Sequence, residues 1–213
     1  MIPVVIVEDH RAIADGLAAL IGSEDDIEVV GIAYGVEQAD ALIRDARPQV
    51  VLCDVMLAGR DDGFQLLRRF GTQSRFLMLT AYDYQAHHAT AVASGAAGYL
   101  SKLSDAGTIV RTIRKVATGE AAIPAPVMES ARRAPAVPTA RERELLTMLT
   151  AGASNDEISY AMGIRIKTVE GMLRRLYDRY GTANRTQLVR FSMRQGWLTG
   201  QAPVDPGAAE GDG

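Results

Sequence analysis

The chain has 213 residues, a length that favours two small domains over one. Its net charge of −3 conceals an uneven distribution. Residues 1–130 carry 11 basic and 17 acidic side chains, whereas residues 131–200 carry 12 basic and 6 acidic ones, which indicates a polyanionic partner for the second half. No run of 18 apolar residues exists and Cys53 is the single cysteine. We therefore expect no membrane span, no intrachain disulfide and a cytoplasmic location.

Up to about residue 118, short runs of Val, Ile and Leu alternate with segments of helical periodicity. Ile13, Leu17, Leu20 and Ile21 illustrate the helical pattern, because their spacing places them on one apolar stripe. Five strands alternating with five helices predict an α/β domain at 1–118, with a doubly wound parallel sheet covered on both faces. The predicted strands are 4–7, 29–33, 50–53, 76–79 and 98–100, and the predicted helices are 11–22, 36–46, 63–70, 84–94 and 105–117.

Four prolines lie in or next to residues 119–137. Because proline restricts itself and its predecessor to extended conformations, this segment is predicted to be a semi-rigid linker. Residues 138–198 show only helical patterns, with capping boxes at 139–142 and 154–157, and predict an all-α domain. The composition of residues 199–213 predicts a disordered tail. The predicted helices of the second domain are 140–151, 155–162, 166–180 and 185–195.

Polar side chains follow four of the predicted strands. Glu8 and Asp9 come after the first strand, Asp54 ends the third, Thr80 ends the fourth and Lys102 follows the fifth. The carboxyl ends of parallel strands meet at one edge of the sheet, so these side chains are expected to converge there. Clustered carboxylates repel one another unless a hard cation lies between them, and Mg²⁺ takes oxygen ligands of this kind. The pattern predicts a magnesium-dependent phosphoryl-transfer site.

The chemistry of phosphoryl transfer assigns a role to each group. Asp54 is the predicted phosphoryl acceptor, Lys102 pairs with the phosphate and Thr80 donates its hydroxyl to a phosphate oxygen. The predicted Mg²⁺ ligands are Glu8, Asp9, Asp54 and the backbone carbonyl of Met56. Any one of these acidic residues could instead be an ordinary helix N-terminal partner. Cys53 is predicted to pack in the core, and His87 and His88 to lie on a solvated helix.

Five motifs accompany these groups, namely Glu8-Asp9-His10, Cys53-Asp54-Val55, Leu79-Thr80-Ala81, Ala93-Ser94-Gly95-Ala96 and Gly98-Tyr99-Leu100-Ser101-Lys102. Over about residues 2–118 the chain resembles the receiver domain of bacterial two-component response regulators. The resemblance implies a flavodoxin-like fold with strand order 2-1-3-4-5 and a sensor histidine kinase as phosphoryl donor. It also implies that Thr80 moves toward the phosphate while Tyr99 changes rotamer and reshapes an oligomerisation face.

The loop after the acceptor departs from this family. Residues 57–63 contain no proline and one residue more than the family pattern, so the loop shape is expected to differ while the carboxylates are kept. Met56 and Tyr82 each follow two residues after a site residue, Asp54 and Thr80 respectively. If both side chains cover the phosphate, they would hinder attacking water, and we expect slow dephosphorylation.

Residues 138–198 resemble the LuxR/NarL-type helix-turn-helix. The matching runs include Pro138-Thr139-Ala140-Arg141-Glu142, Ser154-Asn155-Asp156-Glu157, Lys167-Thr168-Val169-Glu170 and Asn184-Arg185-Thr186-Gln187. The turn at 162–164 separates two helices, and Val169, Leu173, Leu176 and Tyr180 are predicted to face the core. The opposite face of the second helix is expected to enter the major groove of double-stranded DNA. The predicted DNA-contacting residues are Lys167, Thr168, Glu170, Gly171, Arg174, Arg175 and Arg185.

The recognition helix also departs from its family. Arg165 stands where the family favours a Ser cap, Glu170 where a Lys is common, and Met172 where a His is common. Gly171 lowers helix propensity by about 1 kcal/mol relative to Ala. A carboxylate at 170 repels phosphate, although it can accept a hydrogen bond from cytosine N4. We expect an unusual site preference, or weaker binding that relies on a partner.

These patterns favour a response-regulator transcription factor, not an enzyme, in which Asp54 is phosphorylated and a homodimer, or alternatively a heterodimer, binds paired DNA half-sites. A second hypothesis is a signalling protein whose helical module dimerises without reading DNA, as Glu170 and Gly171 would favour. A third is a regulator that works independently of phosphorylation. An Asp-nucleophile hydrolase is disfavoured, because Met56 stands where such enzymes tend to carry a second carboxylate.

Overall fold

The structure is a computed structural model, and it describes residues 1–82 and 84–198. The predicted disordered tail at 199–213 lies outside the described residues. The chain divides into two compact units, Met1–Ala134 and Pro135–Gly213. Within the described residues, no helix has the length and apolar character needed to cross a membrane.

The first unit contains a parallel sheet of five strands in the order β2-β1-β3-β4-β5, which confirms the predicted fold class and strand order. The strands are β1 (Ile2–Val7), β2 (Ile27–Ala33), β3 (Val50–Asp54), β4 (Arg75–Thr80) and β5 (Gly98–Ser101). The helices between and after them are α1 (Arg11–Gly22), α2 (Val36–Ala46), α3 (Gly63–Phe70), α4 (Gln85–Ala93) and α5 (Ala106–Ala117).

Two apolar clusters fill the two faces of the sheet. Alternate residues of each central strand enter opposite clusters, so Val51 and Cys53 pack on one face while Val50 and Leu52 pack on the other. Helices α2, α3 and α4 cover the first face, and α1 and α5 cover the second. Cys53 is fully buried and burial raises the pKa of its thiol, so it packs as an apolar side chain. Ile13, assigned to the apolar stripe of α1, is instead 39% exposed.

A sixth helix, α6 (Ala125–Arg133), lies within the segment predicted to be an extended linker. The prediction of an extended conformation is therefore wrong for these residues. Pro124 and Pro126 lie at the cap and in the first turn of the helix, where the missing N–H groups have no helical partner to lose. The buried side chain of Val127 joins the apolar cluster, and α6 packs against α4.

The second unit contains four described helices, α7 (Ala140–Thr150), α8 (Asn155–Met162), α9 (Ile166–Tyr180) and α10 (Arg185–Arg194), which confirms the predicted all-α domain. Both predicted capping boxes are present, with Thr139 and Ser154 as caps. Gly163 makes the turn between α8 and α9 in the left-handed region, with φ of 62°. The face of α9 that carries Val169, Leu173, Leu176 and Tyr180 is buried, as predicted.

Aromatic side chains close the far end of this unit. The ring of Tyr180 lies 5.4 Å from that of Phe191 and 4.7 Å from that of Trp197, measured between centroids. The Tyr180 hydroxyl donates a hydrogen bond to the Ala136 carbonyl oxygen at 2.9 Å. These contacts pack the C-terminal end of α9 against Phe191 of α10 and Trp197.

Candidate functional site

The carboxyl ends of β1, β3, β4 and β5 bring the predicted phosphorylation residues together. Because β1 pairs with β3, Glu8 just after β1 lies beside Asp54 at the end of β3. The side chains of Glu8, Asp54 and Thr80 are buried, with 1%, 4% and 5% of each residue exposed. Ligand atoms of Glu8, Asp9, His10 and Asp54 all lie within 4.8 Å of one another. The predicted convergence of carboxylates at this sheet edge is present.

Lys102 bridges the two buried carboxylates. Its Nζ lies 2.6 Å from Glu8 Oε2 and 2.7 Å from Asp54 Oδ2. The Lys102 backbone N–H donates to the Thr80 carbonyl at 2.8 Å, which fixes the lysine beside the end of β4. Burial would lower the pKa of Lys102, but its bonds to Asp54 and Glu8 outweigh burial and raise that pKa. The ammonium therefore stays charged and is positioned to neutralise negative charge at Asp54.

Asp54 is an unusually weak acid for an aspartate. Burial raises the pKa of its carboxyl to about 6, although the hydrogen bond and charge of Lys102 act in the opposite direction. Asp54 Oδ1 also accepts the Met56 backbone N–H at 3.1 Å. The carboxylate is thus held in place by groups on both of its oxygens and is partly desolvated, as a nucleophile requires.

A ¹³C NMR titration of the Asp54 carboxyl in metal-free protein is expected to show a midpoint near 6. The folded state then binds this proton more tightly than the unfolded state, whose aspartate pKa is about 3.9. The contribution of Asp54 to the free energy of unfolding therefore falls as pH rises from about 4 to about 6. A midpoint near 4 would show that burial does not govern this group. Asp25, which is exposed, serves as the internal reference.

The loop after β3 forms a tight turn beside Asp9. Leu57 and Arg60 exchange two backbone hydrogen bonds, of 2.8 and 3.0 Å, and Ala58 and Gly59 between them have φ of 49° and 74°. This turn lies within the segment 57–63 that departs from the family pattern. The Ala58 N–H donates to Asp9 Oδ2 at 2.8 Å, so the turn holds the second acidic residue in place.

The remaining site residues contact their own surroundings. Thr80 Oγ1 donates to the Tyr82 carbonyl at 2.9 Å and accepts the Tyr82 N–H at 3.0 Å. The Tyr82 ring is stacked on that of Tyr84 at 5.3 Å. Tyr99 is buried, and its ring meets the edge of the His88 ring at 5.2 Å. Met56 is partly buried against the apolar cluster. That Met56 and Tyr82 cover the phosphate and slow dephosphorylation stays a prediction.

His87 and His88 are buried, which overturns the prediction that they lie on a solvated helix. Their residues are 1% and 5% exposed. His87 Nε2 lies 3.0 Å from Asp61 Oδ1, and His88 Nδ1 lies 2.8 Å from the hydroxyl of Ser130 on α6. For His88 the prediction failed because it included no helix at 125–133 to cover α4, and for His87 because it did not place Phe64 of α3 and the loop at Asp61 against α4. No local signal around the two histidines would have revealed it.

The predicted DNA-contacting residues of α9 share its exposed face. Gly171 is half-buried, and the four other residues of this face that were predicted to contact DNA are exposed, namely Lys167, Thr168, Glu170 and Arg174. Arg175 is exposed as well. Arg165 caps the helix without a side-chain hydrogen bond, as its departure from Ser implied, and Met172 is buried. Arg185 lies at the start of α10, where its guanidinium donates to the Ala153 carbonyl.

Two family models match the chain. The response regulator receiver domain matches residues 4–114, and the luxR family of bacterial regulatory proteins matches residues 137–192. Together they cover the α/β unit with the carboxylate site and the helical unit with the exposed basic face.

Two similar proteins match this chain over nearly their whole length. The transcriptional regulatory protein MctR of Rhizobium johnstonii is 31% identical over 202 residues, covering 92% of this chain and 94% of that protein. The DNA-binding transcriptional activator DevR/DosR of Mycobacterium tuberculosis is 31% identical over 205 residues, covering 90% and 94%.

Two solved structures of response regulators are similar to this chain over nearly its whole length. The response regulator ChrA of a heme-sensing two-component system is 27% identical, with a TM-score of 0.53 over 92% of this chain and 98% of that one. RcsB of Salmonella typhimurium has a TM-score of 0.64 over 91% and 100%, and at 16% identity it shows the fold alone. The chain belongs to the LuxR-type response regulators, with a receiver domain followed by a helix-turn-helix DNA-binding domain.

Proposed function

We propose that Asp54 accepts a phosphoryl group from a sensor histidine kinase and that this modification controls DNA binding by α9. The observation that carries the proposal is the buried arrangement of Asp54 and Glu8 around one ammonium, with Asp9 beside them. The chain would act in the cytoplasm as a homodimer or heterodimer. It would accept one phosphoryl group per signalling event and would not act as an enzyme on a separate substrate. The interaction protein that has lost DNA reading is not favoured, because the similar proteins are transcriptional regulators.

The donor set fits a hard divalent cation. Three carboxylates within reach of one another supply the oxygen ligands that Mg²⁺ prefers. The residues that would hold it are Glu8, Asp9, Asp54 and Met56, the last through its backbone carbonyl. The backbone N–H of Met56 donates to Asp54 Oδ1, which places this residue next to the carboxylates. When bound, Mg²⁺ supplies positive charge that offsets the phosphoryl oxygens.

The phosphorylation step follows from the geometry of Asp54. One carboxylate oxygen forms a bond to phosphorus while the bond from phosphorus to the kinase histidine nitrogen breaks, and that nitrogen retains the electron pair. Lys102 then exchanges part of its ion pair with the Asp54 carboxylate for one with the new phosphoryl oxygens. Thr80 would release the Tyr82 carbonyl and donate its hydroxyl to the same group. Tyr99, one strand away, would follow this movement.

The exposed face of α9 is proposed to read the major groove. Lys167 at its first turn and Arg175 would contact phosphates, and Arg174 would reach phosphate or guanine. Thr168 and Gly171 lie on or beside this face. Arg185 at the start of α10 would keep its hydrogen bond to the Ala153 carbonyl and donate its remaining N–H groups to a phosphate. Glu170 is the acidic exception, and it would restrict the sites that are bound.

Reversing the charge at Glu170 is expected to strengthen DNA binding. Glu170→Lys should raise affinity at low salt about tenfold and steepen the salt dependence, because a repelled carboxylate becomes a phosphate contact. Arg174→Ala should lower affinity about tenfold. Fluorescence anisotropy over a salt series measures both. Glu28→Lys, at an exposed position of β2 in the first unit, adds the same charge and should leave affinity unchanged. Equal gains for the two Lys variants would contradict this placement of the interface.

A gel-shift on genomic fragments tests the proposed function. Mg²⁺ with beryllofluoride, which mimics the phosphoryl group on a carboxylate, is expected to increase DNA binding by wild-type protein and by the control Asp25→Ala. It should have no effect on Asp54→Ala. Binding that is the same with and without beryllofluoride would favour a phosphorylation-independent regulator. No binding in any state at low salt would favour the interaction protein.

A further inference from the structure

His10 borders the carboxylate site and presents a ring nitrogen to it. The residue stands at the cap position before α1, yet its side chain makes no hydrogen bond to the free amides of that helix. Its Nδ1 instead lies 2.8 Å from Asp9 Oδ1 and 3.2 Å from Glu8 Oε1. Because 68% of the side chain is exposed, these polar contacts rather than packing hold the ring at the site.

The spacing of these three atoms is that of adjacent ligands of one metal ion. Neighbouring ligands of an octahedral cation, each about 2.1 Å from the ion, are about 3 Å apart, because their bonds meet at a right angle. The separations of 2.8 and 3.2 Å lie on either side of that value. Ligand atoms of Glu8, Asp9, His10 and Asp54 also lie within 4.8 Å of one another, close to the distance of about 4.2 Å between opposite ligands.

Lys102 leaves these ligand atoms accessible. Its ammonium contacts Glu8 Oε2 and Asp54 Oδ2, whereas His10 contacts the other oxygen of Glu8. Glu8 therefore has one carboxylate oxygen beside the ammonium and the other beside the imidazole. A cation bound to Asp9 would be bordered by His10 without displacing Lys102.

A hydrogen bond between the imidazole and Asp9 suits the same atoms in the metal-free protein. Ligation would replace the shared proton by a cation and would need little rotation of the ring. A cation that takes only oxygen ligands gains nothing from this nitrogen. The two roles of His10 can therefore be separated by comparing cations that differ in their affinity for imidazole.

Mg²⁺ and first-row transition ions differ in this respect. Mg²⁺ takes oxygen ligands and gives up its water reluctantly. Imidazole suits ions such as Ni²⁺, whose affinity for sites with nitrogen and oxygen ligands exceeds that of Mn²⁺. Exchanging one water of the bound ion for an imidazole would stabilise Ni²⁺ strongly and Mg²⁺ hardly at all.

We propose that His10 Nδ1 is a direct ligand of a first-row transition ion at this site and gives the site a preference for such ions over Mg²⁺. Mg²⁺ binds through the carboxylates and the Met56 carbonyl alone. His10 is thus a residue that determines metal specificity. This inference rests on the proposed function only for the position of the cation at Glu8, Asp9 and Asp54.

Calorimetric titration of the untagged full chain with Ni²⁺, and separately with Mg²⁺, tests the proposal. His10→Gln removes the imidazole and keeps an amide that can donate to Asp9. It is expected to weaken Ni²⁺ binding at least about tenfold and to leave Mg²⁺ binding within about twofold. Asp9→Ala should weaken binding of both cations, because it removes an oxygen ligand that they share. Asp15→Asn, at an exposed position of α1 outside the cluster, should change neither.

X-ray absorption at the Ni edge identifies the ligands directly. The wild-type complex is expected to show scattering from one imidazole ring, and the His10→Gln complex none. His87 and His88 are still present in that variant, so persistent imidazole scattering would show that another histidine binds the ion and would refute the proposal.

The affinities separate the remaining outcomes. Equal weakening of Ni²⁺ and Mg²⁺ binding by His10→Gln would refute ligation, because His10 would then act only by orienting Asp9. Unchanged Ni²⁺ binding in His10→Gln would also refute it and would leave the proposed function standing. If neither cation binds the wild type, or if Asp9→Ala leaves both affinities unaltered, the cation site of the proposed function falls and this inference with it.

Discussion

Lys102→Met is expected to lower the free energy of unfolding of the metal-free protein by about 3 kcal/mol at about pH 8. The substitution removes the one ammonium that Glu8 and Asp54 share, and both carboxylates are almost completely buried. Two uncompensated buried charges at this distance repel each other as well as losing hydration. Urea denaturation monitored by circular dichroism measures the change.

The loss should shrink under two conditions. Lowering the pH toward 5 protonates Asp54, whose pKa burial raises to about 6, and saturating Mg²⁺ replaces the missing positive charge and stabilises the folded state by mass action. Lys115→Met, on the exposed side of α5, is the matched control and should unfold like the wild type. A Lys102→Met protein as stable as the wild type at high pH, without metal, would show that the carboxylates are not packed as described.

Gly63→Ala is expected to destabilise the protein by about 3 kcal/mol and to weaken beryllofluoride binding, although Gly63 has no side chain that could take part in phosphoryl transfer. A Cβ there would lie 2.0 Å from the Asp54 carbonyl oxygen and 2.9 Å from the Val55 carbonyl oxygen. These are backbone atoms that cannot rotate away, so β3 or the start of α3 must shift, and Asp54 would move with it. Thermal unfolding together with a ¹⁹F titration reads both effects.

Gly16→Ala provides the control for the same chemical change. Gly16 lies inside α1, and a Cβ there would meet nothing within 4 Å. This substitution should stabilise the protein by about 0.5–1 kcal/mol through helix propensity, and beryllofluoride binding should be unaltered. If Gly63→Ala behaved in the same way, the close approach of α3 to the end of β3 would be wrong.

The carboxylate site could be predicted because its information is local. Each polar residue follows an apolar run, and parallel strands deliver their carboxyl ends to one edge, so Glu8, Asp54 and Lys102 could be placed together without coordinates. The strand order was implied by the family resemblance, because the spacing of the apolar runs along the sequence does not determine which strands are neighbours in the sheet. The capping boxes at Thr139 and Ser154 were equally local, and both are present.

The errors share a physical cause, which is that burial depends on distant residues. Prolines at 124 and 126 were interpreted as breakers, whereas the first turn of a helix tolerates them. His88 is covered by α6, and His87 by Phe64 and the loop at Asp61, and both covering segments are distant from the histidines in the sequence. The contact of the Ala58 amide with Asp9 joins residues 49 positions apart through an unusual turn, which no local pattern encodes.

Peptide mapping by mass spectrometry tests the central claim most directly. The chain is incubated with a phosphorylated sensor histidine kinase domain and Mg²⁺, and the acyl phosphate is trapped by borohydride reduction. We expect a single modified residue, Asp54, and no modification in an Asp54→Asn variant whose folding is verified by circular dichroism. Modification at another residue of wild-type protein, or equal phosphoryl incorporation into Asp54→Asn, would contradict it.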